Sequence, residues 1–256
     1  MAMLSIAWRS AVAGLCFVLF GVGGIALSLA VFPLLRVLPG GRAVSERRAR
    51  LLVRHSFLAL LWVLQALRIL RIEARNLTAL RASGAVLVLA NHPSYLDIVV
   101  LIAHIPDAVC VVKSKFWSNP FFGGVVRAAG YIRNDEPHSL VPDCAARLAQ
   151  GLPLIIFPEG TRSAPGAPLH FVRGAAHIAL ATGVPILPVI LHCEPRVLAR
   201  GGKWYQMPSR TFCISVEALP CTSAAALLPA KAAGARSLTS VLERYFTDHL
   251  HERLAA

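Results

Sequence analysis

Two polar clusters in this chain combine residues that can do chemistry. The first is Asn91-His92-Pro93-Ser94-Tyr95-Leu96-Asp97. An imidazole beside a carboxylate makes a general base: the carboxylate accepts a hydrogen bond from one ring nitrogen and leaves the other free to take a proton. On one continuous helix, residues five apart are rotated by about 140° and their side chains diverge. His92 and Asp97 meet only if His92 lies in a turn and Asp97 in the first turn of the following helix. Pro93 disfavours helix at His92, and Ser94-x-x-Asp97 has the form of a capping box with Ser94 as the cap. A plainer reading is also open, in which Asp97 only caps the helix and His92 is a satisfied turn residue.

The second cluster is Phe157-Pro158-Glu159-Gly160-Thr161-Arg162-Ser163. It places a carboxylate, a flexible glycine, a hydroxyl and a guanidinium in one turn. Such a turn suits an anion, because Arg162 can hold a phosphate bidentately and Gly160 lets the backbone approach it.

The elements around these clusters follow from the apolar pattern. Ala85–Ala90 precedes the first cluster and Leu154–Phe157 the second, each a short apolar block that reads as a buried strand. Further strand-like runs fall at 108–112, 185–191 and 211–216, with helix-like runs at 94–104, 138–150 and 171–182 between them. This alternation predicts an α/β fold, a largely parallel sheet covered by helices on both faces. Polar clusters at the carboxyl ends of such strands are where this architecture places ligands. Residues 237–253 predict an amphipathic closing helix with Leu238, Val241, Leu242, Tyr245 and Phe246 on one face. The Ala-rich stretch 223–235 reads as a loop or a weak helix.

Together the clusters resemble the glycerolipid acyltransferase family. Asn91-His92-Pro93-Ser94-Tyr95-Leu96-Asp97 is similar to its NHxxxxD motif, and Phe157–Ser163 is its FPEGTRS motif without a mismatch. The block Lys113–Gly123 and the apolar block Val184–Val189 resemble two weaker family blocks, so the resemblance covers roughly residues 84 to 192. It implies transfer of an acyl group from a thioester, on coenzyme A or acyl carrier protein, to a hydroxyl of a glycerolipid such as 1-acyl-sn-glycerol 3-phosphate. It implies His92 as the base, Asp97 as its orienting carboxylate, and Arg162 as the main contact to the acceptor phosphate beside Gly160 and Thr161. Glu159 either accepts a hydrogen bond from the acceptor or anchors the turn by pairing with a basic residue. Lys113 aligns with a basic position of the family's phosphate site, or is a solvated surface lysine. The family usually continues Gly-x-Ile-x-x-x-Arg; here Gly130-Tyr131-Ile132 is followed at once by Arg133, and Glu136 stands at the usual arginine position. Arg133 is therefore a candidate substitute, and the acceptor is open to being another lyso-lipid or an ornithine lipid. Ser94 and Ser163 lack a nucleophile-elbow context, and no covalent nucleophile, metal or cofactor is implied.

Composition adds the setting. The chain has 256 residues, 56% hydrophobic, with 26 basic against 13 acidic residues and a net charge of +13; its mean hydropathy is +0.61. A basic, apolar chain fits an anionic membrane surface better than nucleic acid, for which no recognition motif is present. Six scattered cysteines without CxxC spacing read as reduced core residues, and the nine histidines form no ligand spacing. Ala11–Leu35 carries no charge and is long enough to span a bilayer. The arginines at 36, 42, 47, 48, 50 and 54 that follow place the downstream chain on the cytoplasmic side of an inner membrane. Phe57–Leu70 is a second apolar arm, read as an interfacial helix or the return arm of a hairpin. The expected organisation is a membrane-anchoring region at 1–72 and an acyltransferase domain at 73–256.

Overall fold

The structure, a computed structural model, describes residues 2–81, 84–134, 137–164, 166–203, 205–228 and 234–255, with the side chains of 2–4, 137–138 and 253–255 outside the description. Position 136, which carries the departure from the family pattern, lies outside the described residues.

The chain opens with α1 (Ala2–Ala26), a π-helical turn (Leu27–Val31) and α2 (Phe32–Val37), a continuous run of helix. Pro33 explains the π turn. Proline lacks a donor and its ring clashes with the carbonyl four residues back, and a widened turn just before it relieves both faults. There the Phe32 N–H reaches back to the Leu27 carbonyl. Next comes α3 (Gly41–Ala66). Ser5–Val37 and Gly41–Ala66 are each long and apolar enough to cross a membrane by length and composition. The first run packs closely on the domain: a Cβ at Gly24 would overlap the Phe121 carbonyl oxygen, and one at Gly124 would overlap Ser28 Oγ.

After α3 come β1 (Leu70–Arg75), α4 (Leu77–Leu80), β2 (Leu87–Ala90), α5 (Leu96–His104) and β3 (Val109–Lys113). Then follow α6 (Gly123–Ala128), β4 (Ile132–Asn134), α7 (Pro137–Ala149), β5 (Leu154–Ile156) and α8 (Gly174–Thr182). The chain continues with β6 (Ile186–Glu194), β7 (Phe212–Ala218), α9 (Ala224–Leu227) and α10 (Ala235–Ala255). Among the described residues the strands form one sheet in the order β1-β7-β6-β2-β5-β3-β4. The strands from β6 to β4 are parallel; β7 runs antiparallel to β6, and β1 parallel to β7. The largely parallel α/β sheet expected from the alternation is present.

Crossovers between parallel strands are right-handed. The path β2→β3→β4 runs one way across the sheet and β4→β5→β6 runs back, which puts α5 and α6 on one face and α7 and α8 on the other. Packing agrees: α3 lies on α5 and α6, while α7 and α10 lie on α8. Strands β2 and β5 are hydrogen-bonded neighbours, Leu89 opposite Ile156, yet the chain leaves them toward opposite faces. That divergence opens a crevice at their carboxyl ends, the usual ligand position in such sheets.

Three expectations are corrected. Phe57–Leu70 is not one apolar arm: residues 57–66 are the second half of α3, and Leu70 opens β1. The arginines at 42–54 share that helix, and two of its charges are buried. Glu46 pairs with Arg147 Nη1 at 2.5 Å and Arg42 at 2.8 Å, while Arg50 Nε meets Asp107 Oδ1 at 2.7 Å. The 72/73 boundary therefore runs through β1, and α3 is packed as part of the sheet domain. The third correction is local: Tyr95, not Ser94, is the helix N-cap by backbone position, and it makes no side-chain capping bond. Of the closing helix's expected face, Leu238, Leu242 and Phe246 are buried, and Phe171 meets Phe246 with ring centroids 5.2 Å apart.

Candidate active site

Residues 91–95 form a turn between β2 and α5 because Pro93 holds the chain out of helix. Its start is fixed by Asn91, whose carboxamide accepts from Leu191 N–H and donates to Leu191 O, both at 2.7 Å. The side chain thus mimics a strand neighbour and extends the β2–β6 pairing by one residue. Asp97 lies in the first turn of α5, completely buried, and its Oδ2 accepts the Ser94 N–H at 2.6 Å. This is the carboxylate half of a capping box. The Ser94 hydroxyl accepts instead from Leu96 N–H at 3.3 Å.

The same Oδ2 stands 2.9 Å from His92 Nδ1. One carboxylate oxygen thus serves both contacts: Asp97 secures the helix start and also pairs with His92. The Phe157 ring stacks on the imidazole at 4.0 Å between centroids and 17° between planes. The ring is thereby held on one edge and one face. Burial pushes the Asp97 carboxyl above its ordinary range, opposed by the His92 and Ser94 hydrogen bonds and the Arg162 charge. Its Oδ1 is buried and accepts no hydrogen bond among the described residues.

The second cluster folds onto the first. Glu159 Oε1 accepts the His92 backbone N–H at 2.9 Å and the Ser163 hydroxyl at 2.8 Å, and Ser163 N–H donates to His92 O at 2.8 Å. Of the two roles expected for Glu159 the structure shows an anchor, but its partners are a backbone amide and a hydroxyl, not a basic residue. Burial raises the Glu159 carboxyl, partly offset by these two hydrogen bonds. Gly160 has φ +63°, in the left-handed region, and a Cβ there would meet only Val172 Cγ2 at an ordinary 3.7 Å; backbone conformation, not crowding, calls for glycine here. Thr161 is half-buried between them.

Arg162 reaches across to the segment after β6, where its Nη1 donates to the carbonyls of Leu198 and Ala199, both at 2.6 Å. Its guanidinium lies 3.6 Å from the Tyr95 ring centroid. Lys113 and Arg133 stand farther along the sheet edge. Lys113 ends β3, two strands from β2, and Arg133 lies on β4, three strands away. At about 4.8 Å per strand that is roughly 10 and 14 Å. Both are exposed, and Arg133 packs over Trp117 with 5.9 Å to the ring. The sequence reading grouped them with Arg162, whose turn follows β5, the strand hydrogen-bonded to β3. It missed Asn91, Tyr95, Phe157 and Ser163 as site-building residues, although all four lie inside the two motifs. A cavity of about 430 Å³ on the polar face of β1, β7 and β6, lined by Glu73, His192 and Glu217 among others, shares no lining residue with this group.

The structure thus gathers an imidazole held by a buried carboxylate and a guanidinium at the sheet's switch point. Residues 71–192 match the Acyltransferase family. Over 116 residues the chain is 38% identical to 1-acyl-sn-glycerol-3-phosphate acyltransferase of Helicobacter pylori, covering 43% of this chain and 49% of that one. Over 128 residues it is 34% identical to the Escherichia coli protein of the same name, covering 47% and 52%. The chain spans about half the length of the curated relatives it matches. The crystal structure of the 1-acyl-sn-glycerophosphate acyltransferase PlsC from Thermotoga maritima shares the fold at a TM-score of 0.71 and 17% identity, covering 100% of this chain and 99% of that one. Residues 71–192 are thus similar to the Acyltransferase family, and the fold that carries them is the one seen in the Thermotoga maritima structure.

Proposed function

We propose that this protein is an O-acyltransferase that moves a fatty acyl group from acyl-CoA or acyl carrier protein to the free hydroxyl of 1-acyl-sn-glycerol 3-phosphate, giving phosphatidate. The observation that carries the reading is the 2.9 Å pair of His92 Nδ1 and buried Asp97 Oδ2. In this reading Nδ1–H donates to Asp97 and Nε2 is the base. Nε2 takes the acceptor's hydroxyl proton as its oxygen attacks the thioester carbonyl. The tetrahedral oxyanion collapses, the carbon–sulfur bond breaks, and the proton passes from Nε2 to the departing thiolate. A base so placed supplies about 10²–10⁴-fold. Arg162 holds the acceptor phosphate, and Glu159 and Ser163 keep the base in place by tying down its backbone. The reaction is a group transfer without redox change, so the acyl thioester is a co-substrate and no cofactor enters.

Membrane attachment is part of the proposal. On α1, Trp8, Leu15, Val18, Leu19 and Val22 are exposed at helical spacing, continued by Leu29 in the π turn that follows, an apolar stripe that water disfavours. Buried in the inner membrane with the domain on the cytoplasmic side, that stripe would bring the His92 site to the acceptor's head group. Membranes carrying the protein, incubated with labelled acyl-CoA or acyl carrier protein and a panel of lyso-lipids, test donor and acceptor together. Phosphatidate should form from the lysophosphatidate arm and vanish in His92→Ala. Transfer to a neutral or zwitterionic lyso-lipid alone would reassign the acceptor, and no transfer to any would remove the activity.

A further inference from the structure

Arg162 is held more firmly than a substrate-binding arginine on a turn requires. Its Nη1 group donates to two successive carbonyls, Leu198 O and Ala199 O, and its plane lies on the Tyr95 ring. Aiming both carbonyls at one nitrogen coincides with an uncommon backbone: Leu198 has φ +51°, which non-glycine residues seldom adopt. Strain of this kind persists where the surrounding structure over-determines it, often at functional sites. The loop itself is tethered. Val197 and Ala199 are buried, and Ser5 Oγ and Ser10 Oγ donate to the carbonyls of Ser209 and Tyr205 farther along it.

We infer that Tyr95 and the Leu198 and Ala199 carbonyls form a cradle that fixes the Arg162 guanidinium for a phosphate-bearing acceptor, which makes Tyr95 a positioning residue of this site. The inference rests on the acceptor reading given above. A guanidinium has five N–H donors. The cradle uses those on Nη1; Nε and Nη2 carry no hydrogen bond among the described residues. Nε and Nη2 are the edge that grips a phosphate bidentately. An arginine carries considerable rotamer entropy, and one already fixed loses less of it on binding. Because Tyr95 lies between His92 and Asp97 in sequence, the same turn that orients the base also sets the plane of the guanidinium.

Tyr95 is 43% exposed, so replacing it opens no internal cavity. Full-length Tyr95→Ala, Tyr95→Leu and Tyr95→Phe are assayed beside wild type with lysophosphatidate and with a monoacylglycerol lacking the phosphate. Losing a stacked cation–π contact should raise the lysophosphatidate KM by about fivefold to thirtyfold in the Ala and Leu variants. The donor KM, the kcat and the monoacylglycerol KM should stay within about twofold, because these do not draw on the Arg162–phosphate contact. Tyr95→Phe keeps the ring and should match wild type. An unchanged lysophosphatidate KM in both Ala and Leu variants overturns the cradle, as does an equal rise for both acceptors, which marks a general structural role. Wild type that fails to acylate lysophosphatidate at all overturns the functional reading itself.

Discussion

His92 donates its backbone N–H to the Glu159 carboxylate at 2.9 Å, and so the turn that carries the imidazole is fastened by the turn that carries Arg162. The fastening is a closed ring, since Ser163 donates its hydroxyl to the same Glu159 oxygen and its N–H to the His92 carbonyl. Glu159→Ala removes the acceptor for both donors and leaves them buried. Each such orphan costs about 1–3 kcal/mol, so the variant should melt several degrees below wild type and lose most of its kcat. Glu159→Gln keeps an acceptor oxygen and should be milder in both. Thermal unfolding beside steady-state rates checks this; a Glu159→Ala protein with wild-type midpoint and kcat would refute the strap.

In the proposed mechanism the chemical step depends on His92 itself. His92→Ala should abolish nearly all turnover while the protein stays folded, because the imidazole contributes a ring face to Phe157 and one hydrogen bond to Asp97. Asp97→Asn should leave a base that is present but poorly held, with kcat down at least about tenfold. Circular dichroism and single-turnover rates decide. Substantial turnover in His92→Ala would remove the base from the mechanism.

Asp97 also makes a prediction about pH and stability. Burial raises its carboxyl above the ordinary value, ahead of the opposing His92 and Ser94 hydrogen bonds and the Arg162 charge. The folded state then holds the proton more tightly than the unfolded chain. Stability from this group is complete below the unfolded value of about 3.9 and is lost as pH rises through the higher folded value. Asp97→Asn does not titrate, so its stability relative to wild type should improve from acid pH toward neutrality. Melting temperatures of both proteins across that range test the sign. A difference that stays constant, or moves toward wild type with rising pH, contradicts it.

The phosphate contact is tested separately. Arg162→Ala loses a charge-assisted hydrogen-bonding partner worth roughly 1.5–3 kcal/mol, or about tenfold to a hundredfold in acceptor KM. The donor KM should hardly move. If donor and acceptor KM rise together, Arg162 serves the fold through Leu198 and Ala199 rather than the acceptor.

The sheet and the two motifs were legible because their signals are local. Leu87–Ala90 and Leu154–Ile156 are short, wholly buried strands, and each is followed by a polar turn. Pro93 and the Ser94–Asp97 spacing carried the His92–Asp97 geometry in the same way. What connects the motifs was not legible, since the His92–Glu159 and Asn91–Leu191 pairs join residues far apart along the chain and leave no periodic trace. Where Arg133 stands relative to Arg162 was not legible for a related reason: charge type is visible in a sequence, but which strand separates two charges is set by strand order. The α3–β1 junction was misread because Ile69 and Leu70 are as apolar as the helix before them. Only the left-handed conformation of Arg68, φ +53°, marks where helix ends and strand begins, and arginine gives no sign of it.

That junction sets the last prediction, which concerns where the chain can be cut. Removing residues 1–40 takes away α1 and α2 and leaves α3 and β1 whole. Removing 1–72 also strips α3, whose Ala49, Val53, Leu61 and Leu64 are buried, and cuts β1 in half. It leaves Arg147 without Glu46 and Asp107 without Arg50. Breaking a buried ion pair from one side costs about 3–5 kcal/mol, against a total stability of about 5–15 kcal/mol for an ordinary domain. The shorter deletion should therefore unfold cooperatively and the longer should not. The full-length protein should resist salt and carbonate extraction from membranes, because apolar burial is not screened by ions. The 1–40 deletion should be released more readily. It should also lose far more activity on a bilayer-embedded acceptor than on a short-chain soluble analogue. A 1–72 deletion that unfolds as sharply and at the same midpoint as the 1–40 deletion would show that α3 is an anchor only, with its buried charges idle.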